Sequence, residues 1–374
     1  MTENSNSKDV VRFYDEAARN GGSNSLLRRR QASIFYLRNF NNWTKGIFIA
    51  NSLEKLNVPY KCARVLDLCC GKGGDQLKWL RGAVQHVTFV DISSESVEVC
   101  RQRYEQMCRN KWSVFTADFF VADCTEVILP QILPSGMMYN LVSCQFALHY
   151  AFESVNQARR ILSNISSLLQ ENGYFIASIP NAYELVRRAN AAMNDQAQNF
   201  GSKSDVKEIT FGNSVYSVTF PATSFSAKRL ENEKGSTVQL TFPLFGAKYS
   251  FHLDGVVDCP EYLVYPPLLD KLAADYNLIP SQKCISFAKH FYTVLTSRSS
   301  VQEPTELLVK MEALESRYGD PDDKFTDDSE YSHLREHQDD QHRRTSCFGT
   351  LSKSEWEVTT MYSLVAYQKK SNKT

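Results

Sequence analysis

The sequence predicts an α/β chain built on a doubly wound, mostly parallel sheet. Three observations point there. Between residues 64 and 179 five short apolar runs alternate with stretches of helical periodicity. Turn residues flank the runs, the pattern of parallel strands buried between two layers of helices. The first run also passes straight into a glycine-rich turn and a further helix, "VLDLCCGKGGDQLKW", the usual seat of an adenosine-containing ligand at a sheet's carboxyl edge.

Taken in order, residues 1–27 are polar and are expected to form a short flexible extension and not a domain. From residue 28 the segment "RRRQASIFYLRNFNNWTKGIFIANSLEKL" places Ile34, Leu37, Phe40, Trp43, Ile47 and Leu53 at helical spacing, with Arg28, Arg29, Arg30, Arg38 and Lys45 on the polar side. One or two helices are expected there, interrupted near the asparagines. The strands are then "RVLDL" (64–68), "HVTFVD" (86–91), "VFTADFF" (114–120), "YNLVSCQ" (139–145) and "YFIASI" (174–179). The helix between the second and third is marked by Val97, Cys100, Tyr104 and Met107 on one face, with Ser93 or Ser94 as its cap. Residues 194–240 read as polar and irregular, broken by strand-like pieces such as "SVYSVTF". Order is expected again across "FPLFGAKYSFHLDGVVDCPEYLVYPPLLDKLAADY". An acid-rich stretch at 318–346 reads as a flexible loop, "MYSLVAYQKK" as the last strand, and 371–374 as a tail.

Composition narrows the classes of function. The 374 residues are 43% hydrophobic and 22% charged, ordinary for a soluble globular protein with a sizeable core. Forty-two basic residues balance forty-two acidic ones, so a nucleic-acid partner must be met by a local basic groove. No apolar run reaches the roughly 18 to 20 residues that span a bilayer, and the N-terminus has no signal pattern. The ten cysteines include no C-x-x-C pair and read as reduced thiols of the cytosol or nucleus without structural zinc. His333, His337 and His342 lie in the acid-rich stretch and read as solvated side chains, so no metal is expected.

Gly71, Gly73 and Gly74 match neither the dinucleotide spacing nor the nucleoside-triphosphate spacing. The spacing D-x-x-x-G-x-G-G-D, from Asp67 to Asp75, resembles the first motif of S-adenosylmethionine-dependent methyltransferases. Asp91 ends the second strand, where an acidic group takes ribose hydroxyls, although an Asp there also suits a helix cap. Asp123 follows the third strand, where a carboxylate accepts from an adenine amino group. "SCQFALHY" follows the fourth.

Five blocks in order, "FYLRNFNNWTK", "DLCCGKGGDQLKW", "CQFALHYAFES", "PLFGAKYSFHLDGVVDCPEYLVY" and "GTLSKSEWE", resemble the eukaryotic mRNA cap (guanine-N7) methyltransferase family. The resemblance runs from about Arg28 to Lys370. It implies a class I, Rossmann-like methyltransferase with N-terminal helices and an inserted cap-binding subregion, as a single domain over 28–370. Residues 193–209 and 221–241, within the stretch 193–241, look longer than the family's connections. The implied activity is methyl transfer from S-adenosylmethionine to guanine N7 of a triphosphate-linked RNA cap, in the nucleus. The implied partner is the capped 5′ end of RNA, and the catalytic unit is a monomer. An activating subunit or other capping or transcription machinery is left open, and no membrane is involved.

By the same resemblance Lys45, Asp75, Asp91, Asp123, Gln145 and Tyr150 contact the methyl donor, as do Gly71 and the backbone at Cys69. Asn41, Asn42, His149, Glu261 and Tyr362 hold the cap guanosine, and Lys72, Lys78 and Arg103 lie along its phosphates. Arg28, Arg29 and Arg30 are further candidates for the RNA backbone. Guanine N7 is an unprotonated lone-pair nucleophile and the leaving group is a neutral thioether. No residue is therefore expected to act as nucleophile or general base, and His149, Tyr150 and Glu261 act by positioning. Blander readings stand beside these. His149 suits a structural hydrogen bonder, Glu261 a surface charge, and the cations solvated helix residues.

Cys69 departs from the family, which carries glycine there. A left-handed backbone would cost a cysteine about 1 kcal/mol or more, whereas a need for close approach alone would tolerate a small side chain. The expectation is a working loop, with weaker donor affinity as the consequence to look for. Cys70 reads as an ordinary small buried residue. Two other functions stand as alternatives: a catalytically weak paralogue that binds caps or a partner protein, and a methyltransferase for another RNA or a small molecule, which would share the donor residues without needing Asn41, Asn42, Glu261 and Tyr362.

Overall fold

The computed structural model describes residues 10–16, 33–110, 114–200, 207–232, 235–296, 304–313, 315–316, 329–330, 347–348 and 351–371. Arg28, Arg29, Arg30, the three histidines of the acid-rich stretch and nearly all of 318–346 lie outside the described residues, so the expectations placed on them find no counterpart here.

Strands β1 (Arg64–Leu68), β2 (His86–Asp91), β3 (Thr116–Val121), β4 (Tyr139–Gln145) and β5 (Leu169–Pro180) form the parallel part of the central sheet. The third expected strand begins two residues late and the fifth extends to twelve residues. Its order is β12-β16-β5-β4-β1-β2-β3, where β12 is Leu278–Pro280 and β16 is Tyr362–Lys369. β16 runs antiparallel to both of its neighbours, and the short β13 (Ile285–Ser286) also pairs with it. The chain leaves β1 toward β2 and β3 on one side, then returns to β4 on the other. This switch opens a crevice beyond the carboxyl ends of β1 and β4, where open α/β sheets take their ligands.

The sheet separates two cores. Val65, Phe89, Leu141 and Ile176 face one, while Leu66, Val90, Val142 and Phe175 face the other. Helix α1 (Phe35–Glu54) covers the first face with Leu37, Phe40, Trp43, Ile47 and Phe48. It is continuous, which corrects the expected interruption. Each asparagine costs a helix at most about 0.7 kcal/mol, and each large apolar side chain buried returns about 1.5 to 3 kcal/mol. The asparagines also find partners: Asn39 donates to the Glu312 carbonyl at 2.8 Å and Asn42 accepts from Lys78 at 2.9 Å. At the start of α1 the Leu37 N–H donates to Glu355 Oε1 at 3.3 Å.

On that side α2 (Gln76–Arg81) and α3 (Ser94–Asn110) follow β1 and β2. Val97, Cys100 and Met107 are buried and Tyr104 is half-buried, as the spacing predicts. Ser93 caps α3, its Oγ accepting from the Ser96 N–H at 3.0 Å. Helix α4 (Val155–Leu168) covers the opposite face.

The described residues of the stretch 194–240 are not irregular. Helix α5 (Ala182–Phe200) leads into β6 (Glu208–Gly212), β7 (Tyr216–Pro221), β8 (Ser226–Asn232) and β9 (Gly235–Thr241). β8 and β9 form a two-stranded ribbon, and the side chains of Asn190 and Asn194 on α5 accept from the backbone of Leu240 and Val238 at 2.8 and 2.7 Å. These bonds take up ribbon donors that no neighbouring strand meets. β10 (Lys248–Leu253) and β11 (Val257–Tyr262) join β7 and β6 in a four-stranded antiparallel sheet. Its β10–β11 register sets Tyr249 opposite Glu261.

Helices α6 (Pro266–Ala274), α7 (Phe287–Thr296) and α8 (Pro304–Lys310), the pair β14 (Glu315–Ser316) and β15 (Cys347–Phe348), and α9 (Lys353–Thr360) complete the described elements. Residues 10–16 are helical and dock into the molecule, which corrects the expectation of a flexible terminus for that segment.

Candidate active site

The turn after β1 folds back through its own backbone. The Cys70 N–H donates to the Val90 carbonyl at 3.1 Å and the Gly71 N–H to Asp91 Oδ2 at 2.8 Å. Cys69, Gly71 and Gly73 all have positive φ, at 53°, 51° and 71°. The condition set for a strained Cys69 is therefore met. Gly73 is required for space as well, since a Cβ there would stand 2.5 Å from Gln76 Nε2 and 2.7 Å from Cys100 Sγ.

All eight residues named for the donor, from Lys45 to Tyr150, line one cavity of about 280 Å³ at the crevice. Asp75, just before α2, sits between Lys45 and Lys78, with Oδ1 at 2.9 and 2.7 Å from the two ammonium nitrogens. Burial opposes the charge of Asp75, but the two lysines override it and hold the carboxyl at about 2. Asp91 accepts from the backbone of both Gly71 and Ser93, and burial, with Cys69 nearby, pushes it up to about 7. It thus braces the turn and faces the cavity, so capping is only part of its work. Asp123 accepts from the N–H and hydroxyl of Thr125 at 2.8 and 2.6 Å.

A second cluster adjoins the cavity. His149 and Glu261 are both buried, with Nε2 3.4 Å from Oε1 and out of hydrogen-bond alignment. The Tyr249 hydroxyl donates to Glu261 Oε2 at 2.7 Å. Glu261 is therefore no surface charge, which removes the blander reading. Tyr150 and Tyr262, next in sequence to His149 and Glu261, both line the cavity, so the two sites share a wall. The Tyr362 ring packs edge-on to Phe146 at 4.9 Å, and burial, with Glu261 nearby, raises its hydroxyl well above the ordinary range.

The cations divide. Lys78 is not a solvated helix charge: it bonds Asn42 Oδ1 as well as Asp75, and burial pulls its ammonium down. Arg103 donates to the Lys72 carbonyl at 2.8 Å. Burial and the charges of Arg103 and Arg38 lower the Lys72 ammonium, so three cations converge beside the turn.

Whether these residues fit an adenosine-containing donor and a purine can be judged from their unmet polar atoms. Among the described residues, Asn41 Oδ1, Gln145 Oε1 and both ring nitrogens of His149 are buried without a hydrogen-bond partner. Such atoms are rare in folded proteins, and these belong to residues named for the donor or the cap, whereas Thr44 Oγ1 and His290 Nε2, in the same state, belong to neither set. The donor set fits. No group of three or more His, Cys, Asp or Glu among the described residues could hold a metal ion.

Sequence reasoning missed Val10, Tyr14 and Tyr249. Val10 and Tyr14 line the cavity, the Tyr14 hydroxyl lies 3.1 Å from that of Tyr150, and Asp15 accepts from the Ser93 hydroxyl at 2.5 Å. The only signal was a run of apolar side chains, "VVRFY", inside an otherwise polar terminus. Tyr249 carries no local mark and is found only through its register with Glu261.

Comparison with known proteins gives the same direction. A family model described as the mRNA (guanine-N(7))-methyltransferase domain matches residues 1–370. The Drosophila melanogaster protein named mRNA cap guanine-N(7) methyltransferase is 38% identical over 376 residues, covering 98% of this chain and 78% of that one. The Caenorhabditis elegans protein of the same name is 32% identical, covering 98% of this chain and 88% of its own. A rice protein, mRNA cap guanine-N(7) methyltransferase 1, is 32% identical, with 91% and 76% covered. With residues 1–370 matched, and with the residues named for a donor gathered at one crevice, this chain belongs to the mRNA (guanine-N(7))-methyltransferase family.

Proposed function

We propose that this chain methylates N7 of the 5′-terminal guanosine of capped pre-mRNA, with S-adenosylmethionine as donor, by positioning and fixed charge. The observation that carries this reading is the shared wall: Tyr150 and Tyr262 line the donor cavity and directly adjoin His149 and Glu261 in the chain. Bound there, S-adenosylmethionine supplies an electrophilic methyl carbon for in-line displacement, with a neutral thioether as leaving group.

The rest is done by side chains. Asp91 accepts from ribose hydroxyls, Asp123 from the adenine amino group, and Lys45, Asp75, Gln145 and the turn at Cys69 and Gly71 hold the remainder. Glu261 accepts from guanine N1–H and the 2-amino group, with Tyr249 fixing its other oxygen. That contact orients the base and makes its imidazole ring more electron-rich, so the lone pair on N7 is better placed and more nucleophilic. His149, Asn41, Asn42 and Tyr362 complete the guanosine pocket. Lys72 and Arg103 meet the bridging phosphates, and Lys78 reaches them only by sharing its contacts with Asp75 and Asn42. No proton must leave N7 before attack, so none of these residues needs to act as a base.

The substrate places the enzyme in the nucleus, and a monomer is sufficient for the site as built from one chain. The positive φ of Cys69 favours one other reading, a cap-binding paralogue with poor donor binding. Two variants separate the halves. Asp91→Ala should abolish donor binding by calorimetry and spare cap-analogue binding. Glu261→Ala should do the reverse, losing about 3 kcal/mol of cap recognition and roughly 100-fold in kcat/KM. Unchanged methyl transfer by Glu261→Ala would refute the assignment, and cap binding without transfer by the unaltered chain would establish the paralogue.

A further inference from the structure

We propose that Cys69 and Cys124 form a modification site in the wall of the donor cavity, where a hydroperoxide joins them in a reversible disulfide that weakens donor binding. The effect on binding rests on the donor reading above; the disulfide does not.

Both residues line the cavity, and their sulfurs lie 3.8 Å apart. Each is a free thiol. Cys69 stands in a left-handed backbone position at the end of β1, and Cys124 opens the loop after β3. Cys144 is close as well, but it is fully buried within β4, one pairing step away where Leu68 and Cys144 are partners. Cys124 lies in a loop, whereas Cys144 is paired on both sides within the sheet. Hydrogen bonds from Cys124 and Cys144 hold the Cys69 thiol well below the ordinary thiol range, against burial, and those same contacts push the other two up. Cys69 is the half-buried member on the cavity wall while Cys124 and Cys144 are buried, so a peroxide in the cavity meets the Cys69 sulfur first, and its lowered thiol favours the nucleophilic thiolate.

The chemistry balances. The Cys69 thiolate attacks the terminal oxygen of a hydroperoxide, the O–O bond breaks, and the departing oxygen leaves as an alcohol, or as water from hydrogen peroxide, after taking a proton. Cys69 is then a sulfenic acid. The Cys124 sulfur attacks it, the S–O bond breaks, and hydroxide leaves as water with the Cys124 proton. Two thiols are oxidised by two electrons and one peroxide is reduced.

A disulfide needs about 2.05 Å between sulfurs, so the two sulfurs must close by roughly 1.8 Å, through side-chain rotation and movement of the segments that carry them. That movement carries Gly71 on one side and the Asp123–Thr125 contacts on the other. A displacement of about 1 Å at positioning groups costs on the order of 100-fold in catalytic rate, and the loss of one donor contact lowers affinity about tenfold.

The test treats the full chain with stoichiometric hydrogen peroxide and reads cross-linked peptides by tandem mass spectrometry. S-adenosylmethionine affinity is measured before, after, and following dithiothreitol. The expected result is a Cys69–Cys124 link, an affinity loss of about tenfold or more, and recovery on reduction. Cys124→Ser should lose the link and hold its own affinity through peroxide, while Cys144→Ser should keep the link. No link, a link to Cys70 or Cys144 instead, or a Cys69–Cys124 link with affinity intact would each overturn the proposal. If the reduced protein fails to bind donor at all, the donor reading falls, and the peptide map still decides whether the disulfide forms.

Discussion

Replacing Asp75 by Asn removes the charge between two buried ammonium groups while keeping the side chain's size. Lys45 and Lys78 lie 2.9 and 2.7 Å from Asp75 Oδ1, and all three side chains are largely buried. The carboxyl's fall from 3.8 to about 2 corresponds to a native-state preference for the ionised form on the order of 2 kcal/mol. Stripping one partner from a buried pair costs about 3 to 5 kcal/mol in general, and the amide oxygen of Asn recovers part of that. The expected loss at pH 7 is therefore about 2 to 4 kcal/mol. Its pH dependence follows from the depressed value: the stabilisation is complete above about 4 and is lost as pH falls toward 2. Urea unfolding of both proteins from pH 7 down to 3 should show a difference that shrinks below pH 4. A difference under 0.5 kcal/mol at pH 7, or one that stays constant into acid, would refute the reasoning.

Two further outcomes follow from the same loop. Gly73→Ala meets a positive φ of 71° and contacts of 2.5 and 2.7 Å, so it should lose about 2 kcal/mol by denaturant titration and weaken donor binding, whereas Gly71→Ala, with nothing within 4 Å, should lose only the backbone term of about 1 kcal/mol. Equal losses at the two positions would contradict the packing argument. Asp91 sits at about 7 and accepts ribose hydroxyls more strongly when ionised, so donor affinity should fall by up to about tenfold between pH 8 and pH 6. Because the native state holds this proton longer than the unfolded chain, the group's stabilisation is full below 3.8 and lost as pH rises through about 7. Asp91→Asn should flatten both slopes, as read by calorimetry and by unfolding at each pH.

The central sheet was legible because its strands are short apolar runs bounded by turn residues, and their carboxyl ends carry the donor residues. One constraint, the switch between β1 and β4, then brings residues from 45 to 150 to a single cavity. The β8–β9 ribbon was illegible for the opposite reason. "SAKRLEN" has no alternation to mark a strand, and its partner is fixed by Asn190 and Asn194, side chains more than forty residues away from the backbone they hold. The helical segment 10–16 depends on Tyr150 and Ser93, which no local pattern reveals. Local propensity misled at α1, where the asparagines suggest a break and tertiary packing overrides them. Cys69 was conditional in the sequence because its backbone angle decides the strain, and only coordinates give that angle.

The central claim is methyl transfer to the cap, and labelled S-adenosylmethionine tests it directly. The acceptor is a short RNA with an unmethylated guanosine cap, a bare 5′-triphosphate RNA is the control, and nuclease digestion locates the label. Label is expected on N7 of the cap guanine alone, with none on the control and greatly reduced incorporation by Glu261→Ala. Label on an internal nucleotide or on the control, or no label at all with the donor bound, would contradict it.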